Sequence, residues 1–164
     1  MRKVIIVSLS LLLLCLTACS AKQESVVTTT TQTITTEQTE TTKEREMTQL
    51  MLKIEGQEIA VQWEENESVE ALKQLVTESP AQINMSMYSD FEQVGAIGSS
   101  LPRNDVQMTT QAGDIVLYQG NQIVIFYGSN SWSYTKLGRI KNLSQKELTE
   151  LLGNSDVSIT LYHE

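Results

Sequence analysis

Histidine and cysteine are almost missing from this chain, which has one His and two Cys in 164 residues. A zinc-type centre needs three or four nitrogen or sulfur ligands, so no transition-metal site and no cofactor is expected. Ser-His-Asp or Cys-His catalysis would have to run on His163, the penultimate residue, at a chain end expected to be mobile. Basic residues are also scarce: 12 Lys and Arg stand against 20 Asp and Glu, for a net charge of -8. With no cluster of Lys or Arg, nothing here would neutralise phosphates, and a nucleic-acid partner is not expected. Nor is there a run of roughly 20 apolar residues, the length needed to span a bilayer.

What is present begins with an address. Arg2 and Lys3 precede Val4 to Leu16, thirteen residues of which eleven are apolar and none is charged. This is the charge and length pattern of a secretory signal peptide. It ends in Leu16-Thr17-Ala18-Cys19, which resembles the lipobox of bacterial lipoproteins. Small residues admit the backbone to a peptidase, and the Cys19 thiol is the nucleophile that takes the lipid. The resemblance implies a signal peptide over 1–18, a diacylglyceryl or palmitate-type anchor on Cys19, and residence on the extracytoplasmic face of the cell membrane. Cys15 would leave with the leader, so the mature chain would hold no disulfide and its core must rest on packing. With Arg2 and Lys3 gone, ten basic residues face twenty acidic ones. An anionic leaflet repels such a chain, so the membrane tie would be lipid rather than electrostatic.

Residues 19–47 read as a linker. Thr28 to Thr42 holds ten threonines in fifteen residues with one aliphatic side chain, Ile34, and no apolar period. Such a segment buries too little surface to offset the entropy of ordering. As a flexible tether of roughly 26 residues it would reach about 30 Å.

The folded part is expected over residues 48–164. Leu50 to Ile54 and Glu58 to Trp63 are short apolar-rich runs around Glu55-Gly56-Gln57, a hairpin signal. Asn66 reads as the N-cap of a helix carrying Val69, Leu72, Leu75 and Val76, with Ser79-Pro80 beyond it. Gln82 to Tyr88 is a strand, and the Gly95-to-Pro102 stretch is expected to be irregular. Asp114 to Tyr118 and Gln122 to Tyr127 form the strongest hairpin signal. Its run Ile123-Val124-Ile125-Phe126 suits a strand buried on both faces. Gly128 to Thr135 is expected to be a polar-aromatic loop, followed by a strand from Leu137 to Lys141. Ser144 and Glu147 make a capping box for a second helix that stops at Gly153-Asn154, and Val157 to Tyr162 alternates as a last strand. Many short strands with two short helices imply a mainly β fold, a barrel capped by the helices.

Several of these segments resemble a known family: Asn66 with Ser68-Val69-Glu70-Ala71-Leu72, Asp90-Phe91-Glu92-Gln93-Val94-Gly95, Leu101-Pro102 and Gly113-Asp114-Ile115-Val116-Leu117-Tyr118. Gly120-Asn121, Ile125-Phe126-Tyr127-Gly128 and Leu137-Gly138-Arg139-Ile140 continue the series. In order and spacing they are similar to the bacterial cyclophilin-like domain family, which implies a closed cyclophilin-type β-barrel. True cyclophilins place an Arg directly after a Phe-His pair on an early strand. Here that strand reads Ile83-Asn84-Met85-Ser86-Met87-Tyr88 and carries no cation. The resemblance therefore implies the barrel without its isomerase signature.

The candidate ligand contacts are Tyr118, Phe126, Asn130, Trp132, Tyr134 and Arg139. Trp and Tyr in a polar loop supply contact area at low entropic cost. Trp132 can equally plug the barrel mouth, and Tyr118, Phe126 and Tyr127 can be ordinary core and edge residues. Arg139 can meet a ligand carboxylate through its planar fork, or pair with Asp90, Glu92 or Asp114. The expected function is a non-catalytic module binding a peptide or small molecule. The alternative is an envelope peptidyl-prolyl isomerase working through Arg139 or Arg103.

Overall fold

The structure, a computed structural model, describes residues 49–164. Cys19, the expected leader over 1–18 and the threonine-rich segment lie outside the described residues.

Ten strands and two helices follow one another along the chain. They are β1 (Leu50–Ile54), β2 (Gln57–Ile59), β3 (Val61–Trp63), α1 (Glu67–Leu75), β4 (Ala81–Tyr88), β5 (Glu92–Ala96) and β6 (Val106–Thr109). Then come β7 (Asp114–Tyr118), β8 (Gln122–Phe126), β9 (Ser131–Ile140), α2 (Gln145–Leu152) and β10 (Val157–His163). Nine strands pair antiparallel in the order β2-β1-β10-β4-β5-β8-β7-β9-β3, and β6 pairs with β9 off that path.

The chain itself brings the two ends of this order together. β2 pairs with β1 and β3 with β9, yet only Ala60 separates β2 from β3. One bent strand thus serves both ends of the sheet and makes a nearly closed barrel. Two contacts hold the seam: the Trp63 indole Nε1–H donates to the Leu50 carbonyl at 2.7 Å, and the Lys141 N–H to that of Ala60 at 2.8 Å. Gly138 lets the seam shut. A Cβ there would stand 2.7 Å from the Gln62 carbonyl oxygen on β3, closer than packed atoms approach.

Alternation decides which residues fill the barrel. Leu52 and Ile54, Ile83 and Met85, Ile115 and Leu117, Ile123 and Ile125, and Ile159 and Leu161 share one buried cluster. Val69 and Leu72 from α1 and Leu148 and Leu152 from α2 join it, so both amphipathic helices spend their apolar faces on the barrel core. The caps match the sequence expectation. The Asn66 side chain accepts from the Val69 N–H, and Ser144 with Glu147 forms a reciprocal capping box. One polar side chain is also sunk in this region. Gln93 is fully buried, and its Nε2 donates to the Leu152 and Ser155 carbonyls at 2.6 and 2.8 Å. It thereby supplies a donor where α2 leaves carbonyls open.

Three segments differ from the sequence expectation. Gly95 does not break the chain but sits within β5. Its missing side chain leaves room for Met85 and Ile83 from β4. The expected Gly128-to-Thr135 loop is mostly strand, because β9 begins at Ser131 and its first residues pair with β6. β6 itself carried no periodic signal. The chain end is not loose: His163 pairs with Leu50 in the β1–β10 ladder, and its Nε2 lies 2.7 Å from the Lys73 carbonyl of α1.

Candidate functional site

A second cluster lies on the outer face of the sheet. Strand alternation that sends Ile123 and Ile125 inward sends Val124 and Phe126 outward, and β7 does the same with Val116 and Tyr118. This is why the Ile123–Phe126 run is buried on both faces: a barrel core covers one side and an aromatic layer the other. Tyr134 of β9 packs edge-on against Phe126 and Tyr118, with ring centroids 5.7 and 5.9 Å apart. Phe91 lies parallel to Phe126 at 6.4 Å. Such pairs add stabilisation beyond the area they bury. The β6–β9 ribbon edges the layer, with Met108 packing onto it.

The six residues singled out from the sequence fall into two groups. Phe126 and Tyr134 are buried within the outer layer, and Tyr118 is half-buried beside them. Asn130 donates from Nδ2 to the Tyr134 hydroxyl at 3.0 Å, fixing that ring from the β8–β9 turn. Trp132 does not plug the barrel. It stands 54 % exposed on β9, opposite Met108 of β6. Arg139 belongs elsewhere. Its Nη1 pairs with Asp114 at 3.2 Å, and Lys136 reaches the same carboxylate oxygen at 2.8 Å. Asp114 is buried and also accepts from the Gln111 N–H, so it holds the start of β7 by three contacts. Of the three acids offered as partners for Arg139, the fold selects Asp114, which faces it across the β7–β9 pair.

Sequence reasoning gave Glu92 only as a partner for Arg139. It is the most unusual group on the outer face. Its neighbours across the strands are Tyr88 on β4 and Phe126 on β8. The residue is 6 % exposed, and its Oε2 has no hydrogen-bond partner. Burial raises its carboxyl to about 7. Burial likewise raises the Tyr134 and Tyr127 hydroxyls, and the Glu92 charge pushes both the same way. Asp90 adds to the effect on Tyr127, whose hydroxyl is also buried without a partner. Among the described residues, no cation answers this concentration of acid. The remaining basic side chains among the described residues are engaged elsewhere: Lys53 over Tyr162, Lys73 on Glu70, Arg103 on Asp105, Lys141 on Gln62 and Lys146 on Glu150. That an acid directly follows Phe91 was visible in the sequence. That it faces two aromatic neighbours required the register.

A cleft of about 630 Å³ opens between the start of α1 and residues 102–106, lined by Asn66, Ser68, Pro102, Arg103, Val106 and Lys136. Its walls are tied together by the Ser68 hydroxyl donating to the Pro102 carbonyl at 2.7 Å and by Asn66 Nδ2 donating to the Lys136 carbonyl at 2.8 Å. The cations on its rim are already held by Asp105 and Asp114. Among the described residues, no group of three or more His, Cys, Asp or Glu is arranged to hold a metal ion.

Comparison with known proteins agrees with this architecture. The hypothetical protein AF2241 from Archaeoglobus fulgidus, known from its solution structure, superposes with a TM-score of 0.50 at 19 % identity. The match covers 70 % of this chain and 93 % of that one, and at this identity it speaks for the fold alone. No curated protein matches the sequence. The model of the Cyclophilin-like family matches residues 52–162, from within the first strand to near the end of the last. A nearly closed antiparallel barrel with two short helices, matched over almost its whole length, places this chain in the Cyclophilin-like family.

Proposed function

We propose that this chain is a lipid-anchored, extracytoplasmic binding module, whose barrel offers its outer aromatic face to a peptide or small ligand without catalysing a reaction on it. The observation that carries the reading is Trp132, more than half exposed at the edge of a packed layer of Phe126, Tyr134 and Tyr118. A large ring left in water beside a rigid aromatic platform is the usual make-up of a contact surface. Prolyl isomerisation through Arg139 or Arg103 has less support. Both guanidinium groups are committed to carboxylates, and neither belongs to the aromatic layer. The apolar run before Cys19 supports the anchor.

Two experiments test the reading. In a proline-peptide isomerisation assay the full chain is expected to leave the rate unchanged. Acceleration that Arg139→Ala or Arg103→Ala removes would replace the binding module with an isomerase. In membrane fractionation, Cys19→Ala is expected to release the protein into the soluble fraction, and unchanged fractionation would overturn the lipid anchor.

A further inference from the structure

A buried carboxyl without a hydrogen-bond partner or a cation is a costly feature. Among the described residues Glu92 has neither a bonded partner for Oε2 nor a pairing Lys or Arg, and each of the seven basic side chains there has found a partner somewhere else. Its two cross-strand neighbours are both aromatic, and a third ring, Phe91, precedes it in the chain. Carboxylate and ring faces together are what a ligand cation requires, because the acid supplies the counter-charge and the rings attract the cation through their quadrupoles. Tyr88 is 61 % exposed, so the carboxyl lies one side chain from solvent. The acidic surroundings act in the same direction. Asp90 occupies the β4–β5 turn, and the titratable groups that feel the Glu92 charge are the hydroxyls of Tyr127, just after β8, and Tyr134 of β9, which bring no positive charge.

We infer that Glu92 is the recognition group for a ligand ammonium or guanidinium head, held between Tyr88 and the Phe91–Phe126 stack. This deepens the proposed function and rests on the outer face being a binding surface. A peptide side chain and a free amine can each carry such a cation. The chemistry is shared, and the choice of probes separates the two sources.

The test is calorimetric titration of the full chain, in detergent, with three probes: acetyl-Ala-Arg-Ala amide, the same peptide with citrulline in place of arginine, and spermidine. The arginine peptide is expected to bind at least tenfold more tightly than the citrulline peptide. In Glu92→Gln this preference is expected to disappear. Because the cation pairs only with the ionised carboxyl, affinity should rise about tenfold between pH 6 and pH 8 in the native chain and stay flat in Glu92→Gln. Spermidine binding that also needs Glu92 would support a free amine as the source, and arginine-peptide binding without it would support a peptide. Equal affinity for arginine and citrulline peptides overturns the role of Glu92 while leaving the outer face as a binding surface. Failure of all three probes at millimolar concentration overturns the cation site.

Discussion

Replacing Glu92 by Gln should make the protein more stable at neutral and alkaline pH, and the size of the gain follows from its surroundings. The carboxyl titrates near 7 in the folded protein against an ordinary value of 4.5, with desolvation by burial as the cause. A raised value means that the folded state holds the proton more tightly than the unfolded chain does. The stability this contributes is complete below pH 4.5 and is lost as the pH climbs through 7. At about 1.4 kcal/mol per pKa unit, the loss amounts to roughly 3 kcal/mol by pH 8. Glutamine keeps the shape and cannot ionise, so it escapes this loss. For a domain of this size the difference corresponds to roughly 10 °C in melting temperature. Thermal unfolding of both proteins, followed by circular dichroism at pH 5, 6, 7 and 8, reads it directly. The two melting temperatures should lie closest together at pH 5, separate mainly between pH 5 and pH 7, and level off by pH 8. Curves that stay parallel across this range would refute the claim that a buried, unpaired carboxyl ionises in the outer layer.

Gly138→Ala should open the barrel seam, since the new Cβ meets the Gln62 carbonyl at 2.7 Å. A loss of about 1–3 kcal/mol in urea unfolding, with faster exchange of the β3 amides, is expected. Gln93→Leu removes the donor to the Leu152 and Ser155 carbonyls. It should cost about 1–3 kcal/mol in the same measurement, with the α2 end losing protection from hydrogen exchange. Trp132→Ala should change stability by less than about 1 kcal/mol, because the ring is already half in water. The same substitution should weaken binding of the arginine peptide at least tenfold, and unchanged affinity would remove Trp132 from the contact surface.

Local signals were legible without a structure wherever the chemistry is local. Asn66 and the Ser144–Glu147 box announce helix starts because a side chain satisfies a backbone N–H only a few residues away. The run from Ile123 to Phe126 declares a doubly covered strand because both alternating faces are apolar. β6 and the first half of β9 gave no such signal. Val106 and Trp132 are exposed there, and what makes these residues strands is their pairing with each other across more than twenty positions of sequence. Gly95 misled for a related reason, since a residue that ordinarily breaks a strand is needed where two neighbouring side chains already fill the space.

The sequence by itself determined the charge balance, the apolar run from Val4 to Leu16 ahead of Cys19, and the alternation that makes this chain a β-barrel with two capped helices. Each of these depends on composition or on neighbours within a few residues. Only the tertiary structure decided that Arg139 belongs to Asp114 and that Trp132 faces water. It alone decided that Glu92 lies unpaired between Tyr88 and Phe126. The reason is physical. The cost of a buried carboxyl depends on what stands across from it, and that is set by strand register, a property of distant residues brought side by side.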